Sequence, residues 1–185
     1  MTYYGAKELA ESFRTVRKNT IQIAEDIPES KYSYSAAPDV RTVEKMLVHI
    51  AVGYRFQHQV HAVERRTSLE GFDFMSLFQK LGAEETKGRT KVETIELLRK
   101  EGEIWASFVE GASEDFLGQM VQMPKGATPP AKSRLEMITS VKEHEMHHRG
   151  QLILIERIIG IVPHLTREMQ ARMAQAQTQS QASKA

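Results

Sequence analysis

The sequence predicts an all-α protein built as a four-helix bundle. Three observations lead there. Four segments carry apolar residues at alternating spacings of three and four, two open on a residue pattern that starts helices, and no stretch shows the alternation of a half-buried strand.

The first segment, from about Ala6 to Ile27, sets Leu9, Phe13, Val16, Thr20, Ile23 and Ile27 on one stripe. It stops at Pro28, which cannot continue the backbone ladder. The second runs from about Thr42, a suitable N-cap, to Glu64 and carries Met46, His49, Gly53, Phe56 and Val60. The third starts where Thr90 and Glu93 can form a capping box. It carries Ile95, Leu98, Gly102, Trp105 and Val109, and Gly111 suits its end. The fourth starts with the same pattern at Ser133 and Glu136 and aligns Met137, Val141, His144, His148, Gln151 and Ile155. Gly160 and Pro163 close it. Trp105 reads as core.

The segments 65–89 and 112–132 are longer than a bundle turn needs, so the second and third helices are free to run parallel through a long crossover. The stretch Phe72 to Phe78 is expected to form a short helix capping the core. Residues 1–168 form the expected bundle. The polar tail 169–185, rich in Gln, Ala and Ser, is expected to be disordered or a frayed extension.

The composition excludes several classes. A length of 185 residues suits one domain, and a net charge of +1 gives no basic surface that would call for nucleic acid. The chain has no cysteine, which rules out disulfides, thiolate metal sites and a cysteine nucleophile; any thiol must arrive on another molecule. The longest apolar run, Leu152 to Ile155, is far short of the ~20 residues of a membrane span, and the N-terminus lacks the apolar core of a signal peptide. No membrane association and a cytoplasmic location are the expectation.

Of the seven histidines, three fall on the stripes. His144 and His148 are four apart, so both rings project from one helical face and can reach one metal ion at ~2.0–2.1 Å. His49, on the second helix, is placed to supply a third nitrogen. Three neutral imidazoles would leave the ion its charge and an open position, as in catalytic sites. Gly53, one turn beyond His49, and Gly102 read either as room for a metal and its ligand or as close helix packing. His144-Glu145-Met146-His147-His148 also matches the H-E-x-x-H pattern of zinc proteases. The protease reading fails on the missing downstream ligand and peptide-binding strand. Glu145 reads first as a solvated glutamate on the helix face; its alternative, which makes it the candidate catalytic residue, is an acceptor or base beside the metal. His147 lies off the stripe and could orient a ligand, and His58, His61 and His164 are expected at the surface.

The stretch from His144 through Gly150-Gln151 to Leu152 resembles the signature of the DinB-like, or YfiT-like, metal-dependent bundle proteins. Leu47-Val48-His49-Ile50-Ala51 resembles the segment that carries the family's first ligand, and residues 33–42 resemble the loop before it. The similarity spans roughly residues 5–165. It implies an up-down-down-up bundle and a metal site of His49, His144 and His148. The implied cofactor is a divalent transition metal, zinc or nickel first and iron or manganese as alternatives, and family members are often homodimers. Relatives include bacillithiol transferases and mycothiol-dependent isomerases and transferases. The expected function is therefore a metal-dependent thiol S-transferase, or a related stress or detoxification enzyme, that joins a low-molecular-weight thiol to a small electrophile. The alternatives are a metal-dependent hydrolase and a non-enzymatic metal-binding stress protein. A homodimer is expected on a second ground: Leu152 to Ile155 with Ile158 and Ile159 makes the fourth helix apolar on more than one face.

Overall fold

Three of the four stripes fall on single helices in the computed structural model, which describes residues 4–182, and the second, expected on one helix, is divided over two helices and a π-type turn. Helix α1, Ala6–Asp26, buries Leu9, Phe13, Val16, Thr20 and Ile23, and the chain turns extended at Ile27 before Pro28. Helix α2, Val43–Gly53, starts at Thr42, whose hydroxyl accepts from the Lys45 N–H at 3.3 Å. Its course continues through α3, Arg55–His58, and a π-type turn over Gln59–Val63. Helix α4, Phe74–Glu85, is longer than the predicted short cap and has no buried residue. Helix α5, Lys91–Glu110, opens on the Thr90–Glu93 capping box, and α6, Glu114–Gly118, follows it. Helix α7, Arg134–Ile158, starts where the Ser133 hydroxyl accepts from the Glu136 N–H at 3.1 Å. The Glu136 carboxylate pairs with Lys132 at 3.1 Å, so only half of the expected box forms.

Two further features depart from expectation. A small antiparallel hairpin pairs β1, Met120–Gln122, with β2, Ala131–Ser133, just ahead of α7. Three-residue strands are too short for alternation to announce them. Helix α8, His164–Ala182, takes in most of the tail expected to be disordered or a frayed extension. From residue 165 onward its described side chains are almost all exposed, as the polar composition requires.

Contacts along the helices give their directions. Arg14 meets Glu103 and Arg99 meets Glu25, so α1 and α5 run opposite ways. Glu44 meets the Arg89 N–H and Tyr54 meets Glu101, so α2 and α5 run together. Ser12 meets Lys142 and Thr20 meets Glu145, so α1 and α7 run together. His49 meets His148 and His61 meets Arg134, so α2 opposes α7. In chain order, α1, α2, α5 and α7 therefore run up, down, down, up. The long α2-to-α5 connection, which contains α4, returns the chain to the end where α2 began.

The core is layered. One apolar cluster gathers Ile23, Leu47, Leu98 and Leu152, and a second gathers Phe13, Tyr54, Trp105 and Ile138. Between them lies a polar layer, at Arg17 and Thr20 on α1, His49 on α2, and His144, Glu145 and His148 on α7. The functional candidates sit where the two apolar clusters meet.

Candidate metal centre

α2 and α7 bring the three predicted ligands together. His49 Nε2 lies 3.0 Å from His144 Nε2, and His148 Nε2 lies 3.2 Å from the same atom. Among the described residues, these three offer ligand atoms within 4.8 Å of one another. Nitrogens bound to one ion at ~2.0–2.1 Å with bond angles between octahedral and tetrahedral would be about 2.8–3.4 Å apart, and both separations fall in that range. The donor set and its spacing fit a divalent transition metal.

The outer nitrogens explain why the inner ones can bind. His49 Nδ1 faces the Glu85 carboxylate at 2.8 Å, and His148 Nδ1 faces Gln151 Oε1 at 2.7 Å. Both partners accept, so each ring carries its proton on Nδ1 and turns an Nε2 lone pair inward. Glu85 is held in turn by Arg41, which donates from Nε at 2.7 Å and from Nη2 at 3.3 Å. Burial pushes the Glu85 carboxyl up, but hydrogen bonds from Arg41 and His49 leave it below the usual range. Gln151 turns its amide toward His147 Nε2 at 3.5 Å, so His147 helps to orient a ligand at one remove. Burial, above all, lowers the pKa of all three ligands, and the neighbouring histidines help to bring His144 to about 4. At neutral pH the rings are unprotonated, the state a metal needs.

The two stripe glycines, Gly53 at the end of α2 and Gly102 within α5, have different roles. A Cβ on Gly53 would stand 3.0 Å from His144 Cε1 and 3.2 Å from Nδ1, so Gly53 is room for a ligand ring. A Cβ on Gly102 would meet Arg17 Cγ at 2.9 Å, so Gly102 is room for that side chain.

Glu145 is neither at the surface nor free. It is 1% exposed, accepts from Arg17 Nε at 2.9 Å and from Thr20 Oγ1 at 2.7 Å, and faces α1. Arg17 also donates to the carbonyls of Leu98 and Ile50, so one guanidinium ties all four main helices together at the height of the histidines. The expected surface positions of two other histidines are overturned. His61 is 1% exposed, bonded to Gln57 and Arg134, and burial together with Arg134 lowers its pKa to about 4. The π-type turn adds a residue to one turn and rotates His61 inward, which a straight helical stripe does not foresee. His164 is 5% exposed beside Asn19, and His58 is half-buried against Tyr54 and Phe108. Sequence reasoning missed Glu85 and Arg41, which lie in connecting segments. Gln151 carried a signal, three residues beyond His148 on the same stripe.

Two cavities open on different ligands. His148 and Gln151 line one of about 730 Å³ with Arg41, Lys45 and Glu85. His144 and Gly53 line one of about 380 Å³ with Phe56, Phe78 and Val141.

The fold and the site define a class: a four-helix bundle with a three-histidine centre suited to a divalent metal. The sequence profile of the DinB superfamily matches residues 12–152, and the chain belongs to that superfamily. Two solved structures from Bacillus subtilis share the fold. One is the DinB-like protein YjoA, at 22% identity and a TM-score of 0.61, covering 83% of this chain and 92% of that one. The other is YfiT, described as a probable metal-dependent hydrolase with an unusual four-helix bundle topology. It has 13% identity and a TM-score of 0.65, and the match covers 87% of this chain and 91% of that one. No curated protein sequence matches.

Proposed function

We propose that this protein is a divalent-metal-dependent hydrolase. The observation that carries the reading is the convergence of three Nε2 atoms whose outer nitrogens are held by Glu85 and Gln151. A divalent ion held there supplies a Lewis acid that brings the ionisation of a bound nucleophile toward neutral pH. The chain's own groups prepare that chemistry. Glu85 and Gln151 keep the His49 and His148 protons on Nδ1, and Gly53 leaves space for His144. The neutral rings leave the charge of the ion uncompensated, and the two cavities leave room for a substrate on either side. The description of YfiT as a probable metal-dependent hydrolase supports the same class of reaction. Imidazole donors suit zinc and nickel, with iron and manganese as alternatives.

Glu145 is not the base in this scheme, because Arg17 and Thr20 occupy its carboxylate. The test is metal content of tag-free protein, followed by turnover of an ester and amide panel with and without added thiol. About one equivalent of metal, lost in His49→Ala, with thiol-independent turnover lost in His148→Ala, is the expected result. Metal-loaded protein that turns over nothing across the panel would count against hydrolysis.

A second reading, thiol S-transfer, is favoured by one observation. The two cavities open on different ligands, which suits two substrates, and a chain without cysteine must take its thiol from a small molecule. In that case turnover of an electrophile would appear only with a low-molecular-weight thiol such as bacillithiol, mycothiol or glutathione.

A further inference from the structure

The two cavities differ in chemistry as well as position. In the cavity at His148, the Lys45 ammonium is exposed and makes no hydrogen bond or ion pair among the described residues. Arg41 spends Nε and Nη2 on Glu85, and its Nη1 makes no hydrogen bond among the described residues. The ionised side chains on this face are Arg41, Lys45, Asp39 and Glu85, two of each sign. A divalent ion on three neutral rings therefore leaves the face positive, and an anionic group is favoured there over a cationic one.

The cavity at His144 is apolar. Phe56 stands at the centre of an aromatic group, with ring centroids 5.7 Å from Phe74, 5.7 Å from Phe72 and 6.2 Å from Phe78. Phe78 is 52% exposed, on the helix α4 that buries no residue of its own. Single exposed apolar side chains are ordinary. A half-bare ring that joins three others beside a ligand histidine instead forms the wall of an apolar subsite. The volume, about 380 Å³, is in the usual range of small-molecule sites, and Gly53 and Val141 also line it.

We propose that the substrate is an amphipathic carboxylate that spans the centre. Its apolar group, best an aryl ring, sits between Phe56, Phe78 and Val141, its reacting group lies at the three Nε2 atoms, and its carboxylate faces Lys45 and the free edge of Arg41. This rests on the hydrolase reading above and deepens it, by assigning one molecule to both cavities.

Unreactive probes test it by calorimetry, on cobalt-loaded and on metal-free protein: 4-phenylbutyrate, butyrate, which lacks the ring, and 4-phenyl-1-butanol, which lacks the charge. The expected result is that 4-phenylbutyrate binds at least about tenfold tighter than either of the others. In Lys45→Ala the preference for acid over alcohol should fall by about fivefold. In Phe78→Ala the preference for phenylbutyrate over butyrate should fall by about tenfold. Both positions are exposed, and thermal melts verify that the variants fold. Three probes that bind within about threefold of one another overturn the proposal. So does an acid preference unchanged in Lys45→Ala, since the carboxylate would then be held by the ion alone, or an aryl preference unchanged in Phe78→Ala. A chain that takes up no cobalt defeats the hydrolase reading, while the aryl preference on metal-free protein, and its loss in Phe78→Ala, still decide the assignment of the apolar cavity; an aryl preference that is absent there overturns it.

Discussion

Gly53 on α2 faces the His144 ring on α7 so closely that a Cβ would stand 3.0 Å from Cε1. Alanine would favour the helix by about 0.5–1 kcal/mol, but the ring would have to give by a few tenths of an ångström. Metal–ligand distances tolerate only about 0.2 Å. Gly53→Ala is therefore expected to leave metal-free stability within about 1 kcal/mol of wild type and to weaken metal binding about tenfold or more. Melts of the metal-free protein and a metal titration separate the two effects. An unchanged Kd would reduce Gly53 to a packing residue.

Glu85 and Gln151 hold the outer nitrogens of His49 and His148. Glu85→Ala and Gln151→Ala should each weaken metal binding by about 10–100-fold. Because α4 buries no residue, Glu85→Ala should cost little metal-free stability. Chelator competition measures the first quantity and urea unfolding the second. A loss of stability without a loss of affinity would assign Glu85 to the scaffold.

The Arg17–Glu145 pair is buried on both sides, at 5% and 2% side-chain exposure. Removing one partner strands a charge, so Arg17→Met is expected to cost about 3–5 kcal/mol. Replacing both, as Arg17→Met with Glu145→Leu, should recover much of that loss, because two apolar groups leave no orphan charge. Urea unfolding of the metal-free single and double variants checks this. If the double variant is no better than the single, the pair's worth lies in the carbonyl bonds of Arg17.

Glu156 on α7 is fully buried, and neither carboxylate oxygen has a hydrogen-bond partner among the described residues. Burial, then the nearby Asp26 charge, raises its pKa from 4.5 to about 7. Between those values the folded chain keeps a proton that the unfolded chain has released. Stability is therefore lost as pH rises through the window and levels off above it. Glu156→Gln should be more stable than wild type by about 1–3 kcal/mol at pH 8, relative to the difference at pH 4.5. His61 has the opposite slope, but it is present in both proteins and cancels. Urea unfolding at the two pH values decides, and a pH-independent difference would show that Glu156 titrates normally.

Leu154 and Ile158 on α7 and Met169 and Met173 on α8 are all more than half exposed. We expect this apolar surface to be covered by a second copy of the chain, so light scattering at micromolar concentration should give twice the chain mass. Leu154→Glu with Ile158→Glu should give a monomer with metal binding intact. A wild-type monomer under these conditions would refute the homodimer.

Much of this was legible in order of residues alone. The apolar stripes of α1, α2, α5 and α7 announced the helices, because a helix that must bury one face repeats at its own pitch. His144 and His148 were legible as a pair for the same reason, since four residues bring two rings to one face. The sequence by itself thus determined the helical class, two ligands on one helix and a third candidate on another. Tertiary structure decided that His49 meets them, that Glu85 and Gln151 set the protons of His49 and His148, and that Glu145 turns to Arg17. It also decided the burial of His61, through a π-type turn with no sequence mark. These relationships join positions as much as 128 residues apart, as Arg17 and Glu145 are, and helical periodicity carries no information about which face of one helix meets which face of another.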